Sequence, residues 1–191
     1  TVTPLPLLLI LLDVWPLRRF SRRALGEKIP FLLLAGVFAV ITFVSQSRSA
    51  AVQLPRDYGP ARIPLVLCHN IVFYLHKIVW PHDLSAHYPY PDPMSLSHPM
   101  ILAGVIGTSL LLVLLAASLC WTRAVVIGWL FFFVAILPTM QIVGFSNVIA
   151  SDKYAYFPSL GICMVVAWLL DRLANGMAGK KVGGVRRIAV A

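Results

Sequence analysis

From Ile101 to Trp121 the chain runs 21 residues without one charged side chain. A helix through that stretch is apolar on every side, so it must be buried all round, and about 20 such residues cross the hydrocarbon of a bilayer. The pattern recurs. Leu5 to Leu17 reads as the tail of a span, Ile29 to Ser45 as a short span, and Val125 to Val143 follows Trp121 after a tight turn. A further run extends from about Tyr156 to Leu170. Lipid offers no partner for a backbone amide, so these runs must be helices. The expectation is an all-α polytopic membrane bundle of about five spans in an integral, multi-pass protein.

Charge supports the same reading. Only 12% of residues are charged, against about 25% in soluble domains, and 16 Lys+Arg outweigh 7 Asp+Glu. That composition excludes a disordered chain, a disulfide scaffold and most soluble enzymes. The basic residues lie between apolar runs, not along one polar face, so no nucleic-acid partner is expected. Cys68, Cys120 and Cys163 are isolated in apolar surroundings and read as small buried side chains. The chain opens on Thr1 and an apolar run without a charged leader, and it reads as an internal piece of a longer protein.

Pro64 to Trp80 is the ambiguous segment, because as a helix it reaches roughly 25 Å, marginal for crossing. On a helical wheel His69, Asn70, Phe73, His76, Lys77 and Trp80 share one side, and Leu67, Cys68, Ile71, Val72, Leu75, Ile78 and Val79 the other. That makes an amphipathic juxtamembrane helix, suited to the interface or to packing on a bundle. If it does not cross, 11 of the 16 cationic residues share one face, among them Arg18 to Lys28 and Arg172 to Arg187. If it crosses, the bias disappears. Basic residues favour the cytoplasmic side, so the helix is read as non-spanning. Residues 1–175 then form the membrane domain, with extracytoplasmic loops at 46–100 and 144–157, and residues 176–191 form a basic cytoplasmic link into a truncated further span that Ile188 begins.

The outer loops hold the candidate chemistry. Asp152, Lys153, Tyr154 and Tyr156 stand just before a span. A lysine at that depth can meet an anionic headgroup, or can simply snorkel within an interfacial aromatic belt. His82, Asp83, His87, Asp92 and His98 lie in a Pro- and Tyr-rich loop, but without the i, i+4 spacing of a helical metal motif; a divalent metal is not favoured. His69 and His76 share a helix face and could line a polar cavity or bond at the interface. Asp13, beside Arg18 and Arg19, reads as locally paired. No Walker, GxSxG or HExxH motif occurs.

Three stretches, taken together, are similar to a known family. ILPTMQIVGFSNVIASDKYAYFPSLGIC resembles the last conserved region of the transmembrane and tetratricopeptide-repeat O-mannosyltransferase-like proteins, through Leu137, Pro138, Asp152, Lys153, Tyr154, Tyr156, Pro158, Ser159 and Gly161. Ser151 stands where alanine is usual, and Lys153 where arginine is commoner, which keeps the charge but not a bidentate grip on phosphate. LLLILLDVWPLRR resembles the family's Asp-x-Trp-Pro-Leu-Arg span end, through Asp13, Trp15, Pro16, Leu17 and Arg18. YLHKIVWPHDLSAHYPYP resembles its juxtamembrane helix and loop, through Tyr74, Leu75, Lys77, Trp80, Pro81, Asp83, Leu84, Tyr88 and Pro89.

The resemblance implies the C-terminal part of the membrane domain of a type-C glycosyltransferase. Such an enzyme transfers a sugar, mannose-like, from a polyprenyl-phosphate donor to a protein or other acceptor on the extracytoplasmic face. The catalytic acid is expected upstream of this segment and a tetratricopeptide-repeat domain downstream, so the segment alone is expected to be inactive. Lys153, Lys77 and His76 become candidates for the donor phosphate, with Asp152, Tyr154, Tyr156 and Asp83 in support. No cofactor beyond the lipid-linked donor is implied. The rival reading is a non-enzymatic membrane scaffold or transporter, which the absence of charge within the spans at Ile101 and Val125 disfavours.

Overall fold

The computed structural model describes residues 3–48, 62–140 and 148–188, with side chains described to 45, from 62 to 140 and from 148 to 175. Helices α1 (Leu5–Val14), α2 (Arg22–Gly26) and α3 (Ile29–Arg48) precede α4 (Arg62–Val79); α5 (Pro99–Ser118), α6 (Ala124–Ile136) and α7 (Tyr156–Ile188) follow. Two short strands, β1 (Tyr88–Pro89) and β2 (Val148–Ala150), pair antiparallel. The protein is mostly helical. Four helical segments are long and apolar enough to cross a membrane: Arg22–Ser45, α4, α5 and Tyr156–Asn175 within α7. The last residues of the expected Val125 to Val143 span, the first of the 144–157 loop and most of the Ile188–Ala191 ending fall outside the described residues.

Local sequence sets the boundaries. The His98 side chain accepts from the Met100 amide at 3.3 Å, and Pro99 occupies the first helical position, where its missing amide hydrogen costs nothing. Ser21 caps α2 through the Ala24 amide at 3.1 Å. The helix that opens at Tyr156 does not stop near Leu170, as the apolar run suggests, but continues to Ile188, so the expected basic link is helical as far as that residue.

In lipid, helices associate by close packing and not by expulsion of water, so small residues mark the crossings. At the α4–α5 crossing a Cβ on Gly104 would lie 2.7 Å from the His69 Cα, and the Thr108 hydroxyl donates to the Cys68 carbonyl at 3.1 Å. At the α6–α7 crossing Gly128 and Gly161 face each other: a Cβ on Gly128 would meet the Gly161 carbonyl at 2.8 Å, and one on Gly161 the Phe132 amide at 2.9 Å. The main apolar cluster joins α4, α5, α6 and β2 through Val66, Tyr74, Ile101, Phe132, Ile136 and Ile149.

Besides the cysteines, of which Cys120 and Cys163 are exposed and Cys68 is half-buried instead of buried, two features differ from the pattern read in sequence. Only part of the polar side of α4 faces inward, and apolar Ile71 is buried with it. His69, Asn70, Tyr74 and Lys77 are buried, whereas His76 and Val79 are exposed. Asn70 Nδ2 donates to the Ile149 carbonyl at 3.1 Å and, at longer range, to that of Met140 (3.4 Å), so this face meets loop backbone instead of water. His69 and His76 are therefore parted, one buried and the other exposed. His69 Nδ1 lies 3.1 Å from Asn70 Oδ1, while the His76 ring meets that of His82 edge-on. The second difference concerns Asp13. It is indeed charge-paired, but with Arg19 (2.6 Å) and Lys28 (2.8 Å), and Lys28 reaches it from beyond α2. Both Asp13 and Lys28 are buried, a placement that demands a partner for each charge.

Candidate functional site

The strand pair β1–β2 brings together residues about 60 positions apart. Tyr88 lies opposite Ala150 and Pro89 opposite Val148. The α5–α6 hairpin runs away from this end and returns to it, so the two loops meet however α4 is threaded. Just past β2 a 3-10 turn, Asp152–Tyr154, leads into α7. Ser151, at the head of that turn, is buried; its amide donates to the Tyr74 hydroxyl at 3.1 Å.

Asp152 fastens the loops. Its Oδ2 accepts from the Ser85 amide at 2.6 Å, and its own amide donates back to the Ser85 carbonyl at 3.2 Å. The Tyr88 hydroxyl stands 2.7 Å from the same Oδ2 and 2.8 Å from the Asp83 carbonyl, one proton serving two acceptors. Burial first, and then this carboxylate, push the Tyr88 phenol above its ordinary value, with Lys77 opposing. Asp152 Oδ1 is enclosed and accepts no hydrogen bond from the described residues. An unmet buried acceptor of this kind costs about 1–3 kcal/mol.

Lys77 is buried and donates to the carbonyls of His82 (2.5 Å) and Asp83 (3.0 Å), with its ammonium 5.3 Å from the Tyr88 ring centre and 5.8 Å from that of Phe73. Asp83 serves through its backbone. Its φ of 46° is a left-handed conformation that aspartate adopts at modest cost, and it turns the carbonyl toward Lys77 and Tyr88. The Asp83 carboxylate stays in solvent, 2.9 Å from His82 Nδ1.

The expected support of Lys153 by Asp152 is not what these residues do. Successive side chains on the turn diverge. Asp152 lines a cleft of about 290 Å³ with Lys77, Ile78, Leu84, Tyr156 and Cys163. Lys153 lines another, of about 370 Å³, with Leu5, Ala135, Thr139, Tyr154, Phe157 and Pro158, between α1, α6 and the start of α7. Lys153 is exposed, with its ammonium 5.2 Å from the centre of the Tyr154 ring. The two candidate phosphate lysines therefore occupy separate clefts. Tyr156 goes with Lys77 and Tyr154 with Lys153, while exposed His76 lines neither.

Sequence reading missed Ser85, Asn70 and Tyr74 as site-building residues. Only the alternation of HYPY against VIAS hinted at the ladder that recruits Ser85, and nothing local marked Asn70. Among the described residues no group of three His, Cys, Asp or Glu side chains gathers for a metal; His82, Asp83, His87, Asp92 and His98 do not converge. Comparison with protein-family models, curated proteins and solved structures finds no match to the chain.

Proposed function

We propose that the protein is part of a membrane glycosyltransferase that takes a mannose-like sugar from a polyprenyl-phosphate donor on the extracytoplasmic face and passes it to a protein or other acceptor. The supporting sequence argument is the ordered resemblance of three segments to the transmembrane and tetratricopeptide-repeat O-mannosyltransferase-like family. The single structural observation that carries the reading is the cleft at Lys153. An exposed ammonium stands over an apolar floor of Leu5, Ala135, Phe157 and Pro158, and the lining contains no acid. That combination suits a ligand with an anionic head and a hydrocarbon tail.

In this reading the phosphate rests on Lys153, flanked by Tyr154, and the isoprenoid follows the groove between α1, α6 and α7. Lys153 offsets charge as the bond from the anomeric carbon to the phosphate oxygen breaks. The acceptor hydroxyl loses its proton to a carboxylate upstream of this segment. Lys77, tied to two carbonyls, supports the loop instead of the donor, and Asp152 holds the loop that carries Lys153.

Binding of a polyprenyl-phosphate probe to the purified chain tests the assignment. Lys153→Ala should weaken it about tenfold and Lys153→Arg should retain it, since a charge-assisted contact to phosphate is what changes. Unchanged binding in Lys153→Ala removes the residue from the site. A full-length protein that transfers no sugar from polyprenyl-phosphate mannose would overturn the glycosyltransferase reading itself.

A further inference from the structure

We propose that the turn between α1 and α3 is a seat for anionic phospholipid, with Arg18, Arg22 and Arg23 taking the headgroup phosphates. From Asp13 to Lys28 the chain carries five cationic residues and two carboxylates. The carboxylates are spoken for. Buried Asp13 holds Arg19 at 2.6 Å and Lys28 at 2.8 Å, and Glu27 lies 3.6 Å from Lys28. Among the described residues no carboxylate pairs with Arg18, Arg22 or Arg23, and all three are exposed.

Between its charges the turn is apolar. Leu17, Phe20 and Leu25 are exposed. Arg22 and Arg23 open the segment Arg22–Ser45, which is long and apolar enough to cross a membrane, so they stand at the level of the headgroups. Water would solvate the arginines and leave these apolar side chains uncovered. A lipid satisfies both: its phosphate meets a guanidinium through two parallel hydrogen bonds, and its chains cover Phe20 and its neighbours. A phosphocholine head brings its own cation toward three others, whereas a phosphoglycerol head does not. The turn is fixed beforehand by the buried pair Asp13–Lys28, by the Arg19 amide donating to the Asp13 carbonyl at 3.0 Å and by the Ser21 cap, so binding has little ordering left to do. The seat shares no residue with the Lys153 cleft and stands whether or not the protein transfers sugar.

A fluorophore at Gly26→Cys, in a chain lacking Cys68, Cys120 and Cys163, reports on the lipid beside the turn, since a Cβ at Gly26 meets nothing within 4 Å. In phosphatidylcholine proteoliposomes, nitroxide-labelled phosphatidylglycerol should quench it at a lower mole fraction than nitroxide-labelled phosphatidylcholine. Salt at about 1 M, where the Debye length is about 3 Å, should narrow the difference. An arginine near a membrane surface is worth about fivefold, so Arg22→Gln should reduce the preference by about that factor. Arg18→Gln, Arg22→Gln and Arg23→Gln together should remove it, while persistent quenching by the choline lipid shows that the chain still folds and inserts. Arg123→Gln, a charge removed elsewhere, should leave the preference unchanged. Equal quenching by the two lipids with the arginines intact, quenching by neither, or a preference for phosphatidylglycerol that survives the triple change would overturn the proposal.

Discussion

The facing glycines of α6 and α7 give the most direct test of how the bundle is held. Gly161→Ala places a Cβ 2.9 Å from the Phe132 amide nitrogen and 3.1 Å from the Phe131 Cβ, with the Gly128 carbonyl nearer still. Most of these atoms belong to helix backbone and have no rotamer to change. Comfortable separation is about 3.5–4.0 Å, so the helices must part by roughly half an ångström or more, and a gap of 0.5–1 Å forfeits a quarter to a half of each dispersion contact along the crossing. Overpacking of this kind costs about 1–3 kcal/mol. Gly36 serves as control, since a Cβ there meets nothing within 4 Å, and Gly36→Ala should be neutral or stabilise α3 by up to about 1 kcal/mol. Reversible unfolding in mixed micelles titrated with denaturing detergent gives both values. Because the crossing, once widened, accommodates a second methyl, Gly128→Ala added to Gly161→Ala should cost less than the sum of the two single changes. A Gly161→Ala protein as stable as Gly36→Ala would refute the packing account.

Two further outcomes follow from the loops. The Tyr88 phenol is raised, so its contribution to the Asp152 fastening is complete below the ordinary tyrosine value near pH 10 and is lost as pH rises through the raised one; the tyrosinate absorbance missing from Tyr88→Phe should appear above pH 10, and a midpoint at or below 10 would contradict the geometry. Single cysteines at Ser21 and Ser85, in a chain lacking Cys68, Cys120 and Cys163, should differ toward an impermeant thiol reagent applied outside, with Ser85 labelled and Ser21 protected; protection of both would show that α4 crosses the bilayer.

The helices were legible in the sequence because bilayer thickness and backbone hydrogen bonding act on contiguous runs. Ile101 to Trp121 lies within three residues of α5 at each end, and the offset at the start comes from the His98–Pro99 cap. The site was legible only as an inventory. Asp152 and Lys153 are adjacent in sequence, which invites pairing them, yet a 3-10 turn sends their side chains into different clefts. The partners Asp152 takes, Ser85 and Tyr88, are brought by a two-strand ladder whose register depends on tertiary contact. The two faces of α4 were drawn only in part, since His76 and Trp80 of the polar set are exposed and Ile71 of the apolar set is buried, and periodicity carries no sign. It separates polar from apolar residues without saying which set turns inward, and here the polar set found backbone groups to bond.

That inward face has a consequence for how the protein is made. Asn70 finds its acceptors at Met140 and Ile149, and the Tyr74 hydroxyl its donor at Ser151. When α4 leaves the ribosome, none of these partners has yet been synthesised. Its amide and phenol must wait for these partners until some 80 more residues arrive. A chain that stops before β2 therefore leaves the inner face of α4 without partners, so release of a truncated product should present it to quality control as an unfinished surface, however well α5 and α6 have formed.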